Sequence, residues 1–216
     1  SESFAERIYI NSEGANRHFM TTQSTFYLYA RAEESGKKPR SSGAVRVAYS
    51  SVDLDIEGCV EEAGQRTVNH LNYKKIDTGK YMVCFTPEAF LELIGAFSNM
   101  FNARAVIDGV SLSTKDSIGK LISIPALTIY DNGLHPGNIG ACNFDGEGTP
   151  VNKICLIKEG ILNSFVYSEA TARYFGVNPT GHAGLGSKVS VGIDWLEVSK
   201  QPGIKTKKPN INHKNY

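Results

Sequence analysis

Two glycine-containing turns constrain the fold of this chain more than any other feature of its sequence. The first is the acidic loop Phe-Asp-Gly-Glu-Gly-Thr-Pro at residues 144–150, and the second is the Thr-Gly-His-Ala turn at residues 180–183. Between them, apolar residues flank a Lys-Glu-Gly turn ending at Gly160, which can adopt positive φ without a Cβ clash. This pattern predicts a strand, a tight turn and a second strand. Ser168 as N-cap and Gly176 as stop signal predict a short helix after them.

Composition and charge are ordinary for a globular protein. Apolar residues make up 41% and charged residues 21% of the 216 positions, and the formal net charge is +1. So small a charge gives no general attraction to nucleic acid or anionic membranes, which argues against both as partners. No apolar run approaches the roughly 18 residues of a membrane span, and no leader pattern precedes the first predicted strand. We therefore expect a cytoplasmic protein.

The four cysteines lack the paired spacing of a zinc site or a disulfide framework. Cys84 and Cys155 lie inside apolar runs, where a reduced cysteine behaves as a small hydrophobic residue. We expect both to be buried thiols.

The N-terminal part of the chain carries a β-rich pattern followed by a helix. Alternating aromatic and β-branched residues predict antiparallel strands with one solvated face at 7–10, 26–32 and 44–49. Apolar residues recur near a 3.6-residue period over 54–71, which predicts an amphipathic helix. The polar segment 72–80 then predicts a boundary between domains.

Beyond this boundary the sequence predicts a mixed sheet with a buried helix. Residues 81–85 form a short apolar run that is typical of a buried strand. Thr86 and Pro87 supply an N-cap and a first-turn proline to the helix that follows. This helix is apolar on nearly every side, so we expect it to be deeply buried. With a further strand predicted within 121–130, the fold class is α+β.

The order of acidic loop, hairpin, helix and Thr-Gly-His-Ala turn resembles the C-terminal domain of the TldD/PmbA family, also called TldD/TldE and formerly labelled a modulator of DNA gyrase. The resemblance implies a middle domain over residues 1–75 and a C-terminal domain over 76–199 that lacks the last strands of the family. Residues 200–216 are basic and rich in asparagine, and we expect them to form a disordered tail.

The family has two related subunits, TldD-like and PmbA (TldE)-like, which together form a zinc protease for unfolded peptides. The TldD-like subunit carries its zinc on a helix with the pattern His-Glu-x-x-x-His. When the patterns are aligned, the two histidine positions fall on Leu91 and Ala96, and only Glu92 is retained. Zinc binds nitrogen, sulfur or carboxylate donors, which leucine and alanine lack. The resemblance therefore implies a PmbA (TldE)-like subunit with no catalytic residue and no metal, and zinc is expected in a TldD-like partner.

The resemblance also implies a peptide cleft near the two turns. Its candidate residues are Asp145, Gly146, Glu147, Gly148, Thr149, Thr180, Gly181 and His182. The imidazole of His182 could donate to a bound peptide, or it could only hold its own turn in place. The two acidic side chains could bind a cation or satisfy nearby backbone N–H groups, although Asp-x-Glu falls far short of a calcium loop. We favour the structural role in both cases.

Two functions follow as hypotheses. The first is a non-catalytic subunit that pairs with a TldD-like metalloprotease subunit and shapes a cleft for unfolded peptide substrates. The alternative is a stand-alone interaction or scaffolding module, such as a homodimer, without a proteolytic role. Stable association with a TldD-like subunit would distinguish the first from the second.

Overall fold

The computed structural model describes residues 1–200, and of Lys200 only the backbone. Within this range the chain forms two compact units, the first comprising residues 1–6 and 20–83 and the second residues 7–19 and 84–200. The fold is α+β with antiparallel sheets, as the sequence predicts. Apart from Lys200, the predicted basic tail lies outside the described residues.

A three-stranded sheet with the order β1-β2-β3 contributes to the first unit. Its strands are β1 (Glu2–Ile10), β2 (Asn16–Ala32) and β3 (Arg40–Ala48). Strands β2 and β3 pair antiparallel, with Tyr27 opposite Val45. Both of these side chains are exposed, so this face of the sheet is open to solvent in the structure.

Helix α1 (Ile56–Asn69) covers the opposite face of the sheet. It begins at Asp55, whose side chain accepts a hydrogen bond from the Gly58 N–H at 3.0 Å. Its buried face is made of small residues, which let the helix lie close to the strands. These residues are Cys59, Ala63 and Thr67. The first two pack with Ala44, Phe26 and Leu28, and Thr67 Oγ1 donates to the Ser42 carbonyl at 3.4 Å.

The second unit alternates short helices with short strands. Its helices are α2 (Pro87–Ala96), α3 (Ala103–Ile107) and α4 (Glu169–Phe175). Its strands are β4 (Leu127–Asp131), β5 (Ile154–Lys158), β6 (Ile161–Leu162), β7 (Ala183–Gly184), β8 (Ser190–Val191) and β9 (Leu196–Lys200). Single 3₁₀ turns occupy Ser51–Asp53 in the first unit and Ser98–Phe101 and Lys115–Ser117 in the second. One antiparallel sheet has the order β6-β5-β4-β9, and β7 pairs with β8.

Side chains from the sheet, from the 3₁₀ turn before α3, from the segment between β6 and α4, and from α3 and α4 form the core of the second unit. Phe165 is fully buried, and its ring meets those of Tyr167 and Phe175 edge to face at 6.3 and 5.8 Å between centroids. The other fully buried large side chains of this core are Phe101, Ile129, Leu156, Leu162 and Val166.

The predicted hairpin and helix between the two turns are confirmed. Glu159 and Gly160 both have positive φ, at 52° and 80°, as a two-residue hairpin turn of this type requires. A Cβ at Gly160 would lie 2.5 Å from the Ser123 carbonyl oxygen, so this position also needs glycine for space. Helix α4 is capped by Ser168 and ends at Gly176, whose φ is 68°.

The predicted buried strand at residues 81–85 is wrong. This segment has no regular secondary structure, and all five of its residues are exposed. Cys84 is therefore an exposed thiol, whereas Cys155 is half-buried. A short apolar run favours burial, but its sequence alone does not show which other part of the protein would bury it.

The predicted cap of α2 is confirmed, but its deep burial is wrong. Thr86 Oγ1 accepts a hydrogen bond from the Ala89 N–H at 3.3 Å, and Pro87 occupies the first turn. None of the α2 residues is buried. Ile94, on one side of the helix, packs against the core of the second unit. A helix that is apolar all round needs neighbours on every side, and the described residues supply them on that side only.

Among residues 1–200, no helix combines the length and the hydrophobicity that crossing a bilayer requires.

We predict that Phe165→Ala lowers the free energy of unfolding of the second unit by about 3–5 kcal/mol, because it leaves a cavity where a fully buried ring packs. Urea denaturation followed by tyrosine fluorescence would measure this change. Tyr174→Ala is the matched control, since that ring is 65% exposed and its loss should shift the transition little. Equal shifts for both variants would contradict the assigned core.

Candidate functional site

The carboxylate of Asp145 joins the acidic loop to the Thr-Gly-His-Ala turn. Its Oδ1 accepts hydrogen bonds from the backbone N–H groups of Glu147 and Thr149, both at 2.9 Å. Its Oδ2 accepts a third from the N–H of Ala183, also at 2.9 Å. A carboxylate that accepts several backbone hydrogen bonds is a strong local anchor, because each bond is charge-assisted. The two turns of the sequence signature therefore form one structure.

Backbone contacts reinforce this junction. The Gly146 N–H donates to the Ala183 carbonyl at 2.7 Å, and the Asp145 N–H donates to the Thr149 carbonyl at 2.9 Å. A Cβ at Gly146 would lie 2.6 Å from the backbone nitrogen of Leu185. Only glycine lets the two chain segments approach this closely.

The tip of the β1–β2 hairpin packs on the acidic loop. Gly148 has a φ of 79°, and a Cβ at this position would collide with the ring of Tyr9. Arg17 Nε donates to the Gly148 carbonyl at 3.4 Å. Gly148 is therefore required both for its backbone conformation and for the approach of the tyrosine.

Glu147 stabilises the start of α4. Its Oε2 accepts a hydrogen bond at 2.8 Å from the backbone N–H of Glu169, the first residue of that helix. The first N–H groups of a helix have no partner within the helix, and a negative charge beside them is favourable. In the described contacts, both acidic side chains of the loop bind backbone N–H groups.

Thr180 and Gly181 set the geometry of the second turn. Thr180 Oγ1 accepts from the Tyr167 N–H at 2.7 Å and lies 2.9 Å from Nδ1 of His182. Gly181 has a φ of 79°, and a Cβ there would collide with the Pro150 carbonyl oxygen. The turn thus packs directly on the end of the acidic loop.

His182 is buried beside Asp131, a residue that belongs to no motif in the sequence. The side chains of both residues are fully buried, and His182 Nε2 lies 3.3 Å from Asp131 Oδ2. Within residues 1–200, this nitrogen has no partner that meets hydrogen-bond geometry. Asp131 also accepts hydrogen bonds from the N–H groups of Asp194 at 2.8 Å and Trp195 at 2.7 Å. In the sequence, Asp131 is recognisable only as an aspartate at the end of an apolar strand, and this position does not indicate its hydrogen-bond partners.

Two aspartates of this cluster have shifted pKa values of opposite sign. Burial by itself raises the pKa of Asp131, but His182 and the N–H groups of Trp195 and Asp194 together bring it below its usual range. Burial raises the pKa of Asp194, and the negative charge of Asp131 raises it further. The cluster therefore favours ionised Asp131 and disfavours the charge on Asp194.

The three positions matched to the zinc helix lie on α2. Leu91 is 38% exposed, and neither it nor Ala96 carries an atom that can donate an electron pair to zinc. Glu92 offers one carboxylate, whereas a catalytic zinc needs three protein ligands. In the part of the chain that the structure describes, no three His, Cys, Asp or Glu side chains are grouped to hold a metal ion. The residues present on α2 do not fit zinc.

Comparison with known proteins identifies the family. Residues 1–71 match the model of the PmbA/TldA metallopeptidase central domain, and residues 78–210 match that of the PmbA/TldA metallopeptidase C-terminal domain. The chain therefore belongs to the TldD/PmbA family.

Curated relatives bear both names of the family. The chain is 29% identical to the metalloprotease PmbA of Escherichia coli O157:H7 over 187 residues, covering 84% of this chain and 40% of that protein. It is 31% identical to a metalloprotease TldD homologue of Buchnera aphidicola over 172 residues, covering 73% of this chain and 35% of that protein. The chain thus spans less than half the length of either relative.

Solved structures show the same fold. A Thermotoga maritima protein, described as a candidate modulator of a DNA gyrase, superposes with a TM-score of 0.83 at 27% identity, covering 92% of this chain and 45% of that chain. TldE from Thermococcus kodakarensis gives a TM-score of 0.71 at 20% identity with the same coverage, a likeness of fold alone.

We predict that Asp145→Asn lowers the free energy of unfolding by about 1–3 kcal/mol, because the amide nitrogen would face a backbone N–H in place of an accepting oxygen. Chemical denaturation would measure the loss. Glu147→Gln is the matched control, since glutamine still offers an oxygen to the Glu169 N–H. If both variants were equally stable, Asp145 would not be the anchor of the junction.

The two shifted aspartates predict opposite responses to acid. Asp131, with a folded pKa below the ordinary 3.8, contributes stability that is present above this pH and lost as pH falls through the folded value. Asp194, with a raised pKa, contributes stability that is present below its unfolded value and lost as pH rises through the folded one. Relative to the parent protein, Asp131→Asn should therefore flatten the acid-induced loss of stability, and Asp194→Asn should steepen it. Urea midpoints between about pH 2 and 6 would test both slopes, and equal slopes in the two variants would contradict the assignment.

Proposed function

We propose that this chain acts as a PmbA (TldE)-like subunit of a TldD/TldE-type zinc metalloprotease complex. In this role it forms part of a cleft for unfolded peptides and supplies no metal ligand. The family membership and the relatives named as metalloproteases support the class. The chain spans less than half the length of these relatives. The proposed activity is therefore that of a protein of their full length.

The main support for this proposal is that α2 lacks the side chains that would bind zinc. Zinc is bound at about 2.0–2.3 Å by atoms with free electron pairs, and the hydrocarbon side chains of Leu91 and Ala96 have none. Glu92 could act as a general base only toward a water that a metal activates. Since nothing on the helix would hold that metal, hydrolysis is assigned to a TldD-like partner that has the complete His-Glu-x-x-x-His pattern.

The loop and turn support a role in shaping the peptide cleft. Their acidic side chains and Thr180 are engaged in holding backbone in place, through contacts of 2.7–2.9 Å. A rigid backbone surface can hold an extended peptide through main-chain hydrogen bonds, with little preference for its sequence. We infer that Gly146, Gly148 and Thr149 shape this surface by holding the loop against its neighbours, and that the buried His182 supports the second turn through its contact with Thr180.

Co-expression with a TldD-like subunit tests whether zinc binding and hydrolysis belong to that subunit. We expect a stable 1:1 complex that contains one zinc per pair, whereas this chain alone should bind none. Glu92→Gln should leave peptide hydrolysis by the complex unchanged, because Glu92 has no metal-bound water to activate. Replacing either zinc-helix histidine of the TldD-like subunit by alanine should abolish hydrolysis, which provides the matched control.

Four outcomes would contradict the proposal. Zinc bound by this chain alone, or peptide hydrolysis by it that a chelator stops, would place a catalytic centre in this chain. A loss of activity in Glu92→Gln with the complex intact would do the same. A self-sufficient homodimer that does not associate with a TldD-like subunit would favour the scaffolding function instead.

A further inference from the structure

Three buried polar side chains of the second unit connect the end of β4 to the segment before α4. Asp131 Oδ2 lies 3.3 Å from His182 Nε2, and His182 Nδ1 lies 2.9 Å from Thr180 Oγ1. Thr180 Oγ1 in turn accepts a hydrogen bond from the Tyr167 N–H at 2.7 Å. Because all three side chains belong to buried residues, each group restricts where its neighbour can carry a proton.

Asp131 decides which ring nitrogen of His182 carries the proton. The pKa of Asp131 lies below its usual range, so its carboxylate is ionised. A proton on Nε2 is attracted by this negative charge even where the alignment is imperfect, whereas a lone pair on Nε2 is repelled by it. Among residues 1–200, Nε2 has no hydrogen-bond partner that would offset such a repulsion. The proton of a neutral imidazole therefore belongs on Nε2.

The distances around Asp131 favour a neutral imidazole over a charged one. Charge-assisted N–H···O⁻ bonds are usually about 2.7–2.9 Å long, and the contact between His182 and Asp131 is longer, at 3.3 Å. Asp131 accepts two shorter hydrogen bonds, of 2.7 and 2.8 Å, from the N–H groups of Trp195 and Asp194. These two bonds stabilise the carboxylate, so it does not need a cation beside it.

The tautomer of His182 fixes the direction of the Thr180 hydroxyl. With its proton on Nε2, the imidazole offers Nδ1 as an acceptor, and the Thr180 hydroxyl lies within reach. The other acceptor near this hydroxyl is the Tyr167 carbonyl at 3.2 Å, which already receives the Thr180 N–H. The hydroxyl proton therefore points to Nδ1, and a lone pair of the oxygen faces the Tyr167 N–H.

We propose that Asp131 is a positioning residue, which fixes the tautomer of His182 and through it the direction of the Thr180 hydroxyl. The contacts from Tyr167 to Thr180, His182 and Asp131 then form a relay in which every proton points the same way, so that each bond strengthens the next. Tyr167 directly precedes Ser168, the N-cap of α4. All residues of the relay lie in the second unit, so the relay does not depend on the protease function proposed above.

Nitrogen-15 nuclear magnetic resonance of the full chain measures the tautomer directly. The two ring nitrogens of His182 are assigned through the backbone of the same residue and observed at about pH 8, where a free imidazole is neutral. We expect a protonated Nε2 and an unprotonated Nδ1 that accepts a hydrogen bond. A proton on Nδ1, with or without one on Nε2, would overturn the proposal.

Asp131→Asn tests whether the carboxylate sets the tautomer. Without the negative charge, a lone pair on Nε2 is no longer repelled, so the ratio of the Nδ1–H to the Nε2–H tautomer should rise roughly tenfold or more. A purely structural role for Asp131 predicts lower stability with an unchanged tautomer. That result in the folded variant would contradict the proposal.

Glu197→Gln is the matched control. It makes the same change from carboxylate to amide on β9, but Glu197 contacts Asn132 and Lys153 and not His182. The tautomer of His182 should therefore stay as it is in the parent protein. An equal change of tautomer in both variants would count against a specific role of Asp131.

Thr180→Val tests the other end of the relay and covers the case in which Asp131→Asn does not fold. It leaves the Tyr167 N–H without its acceptor, so hydrogen exchange of this amide should quicken roughly tenfold. Thr180→Ser keeps the hydroxyl and should restore the parent rate. In both variants Nε2 should remain protonated, because Asp131 is unchanged. Unchanged exchange in Thr180→Val, or a proton that moves to Nδ1 there, would show that the relay is wrong.

Discussion

Three backbone N–H groups from two separate turns converge on the carboxylate of Asp145, and the loop region of the second unit depends on this convergence. The same loop presents Gly146 and Gly148 where neighbouring segments come too close for a side chain. Because the anchor and the glycines occur together, the acidic loop and the Thr-Gly-His-Ala turn form a single rigid element. This explains why a signature of two distant stretches of sequence describes one place in the fold.

Polar residues in this region serve the architecture of the unit. Glu147 accepts a hydrogen bond from the first backbone N–H of α4. The buried Asp131 accepts hydrogen bonds from two backbone N–H groups and lies beside His182. Buried ionisable groups are tolerated only when they are hydrogen-bonded or paired, so each of these contacts offsets the loss of hydration. In the role proposed above, the chain would keep this framework without metal ligands on α2, since a cleft for extended peptides needs a fixed backbone.

Local features of the second unit could be predicted because each depends on a few consecutive residues. The hairpin turn at Gly160, the N-cap Ser168 and the stop at Gly176 follow from backbone conformation and capping alone. The proximity of His182 to Asp131 could not be predicted, because it arises only when separate strands meet. The exposure of α2 could not be predicted either. An apolar composition indicates that a helix would be stabilised by burial, but it does not show which elements pack around the helix.

The contact between Tyr9 and Gly148 has a consequence for how such proteins diverge. The ring occupies the space that a side chain at position 148 would need, and the positive φ at that position already excludes most residues. A relative with a larger residue in place of Gly148 would also need a smaller residue in place of Tyr9. We therefore expect these two positions to change together during evolution, although one lies in the first strand and the other in a distant loop.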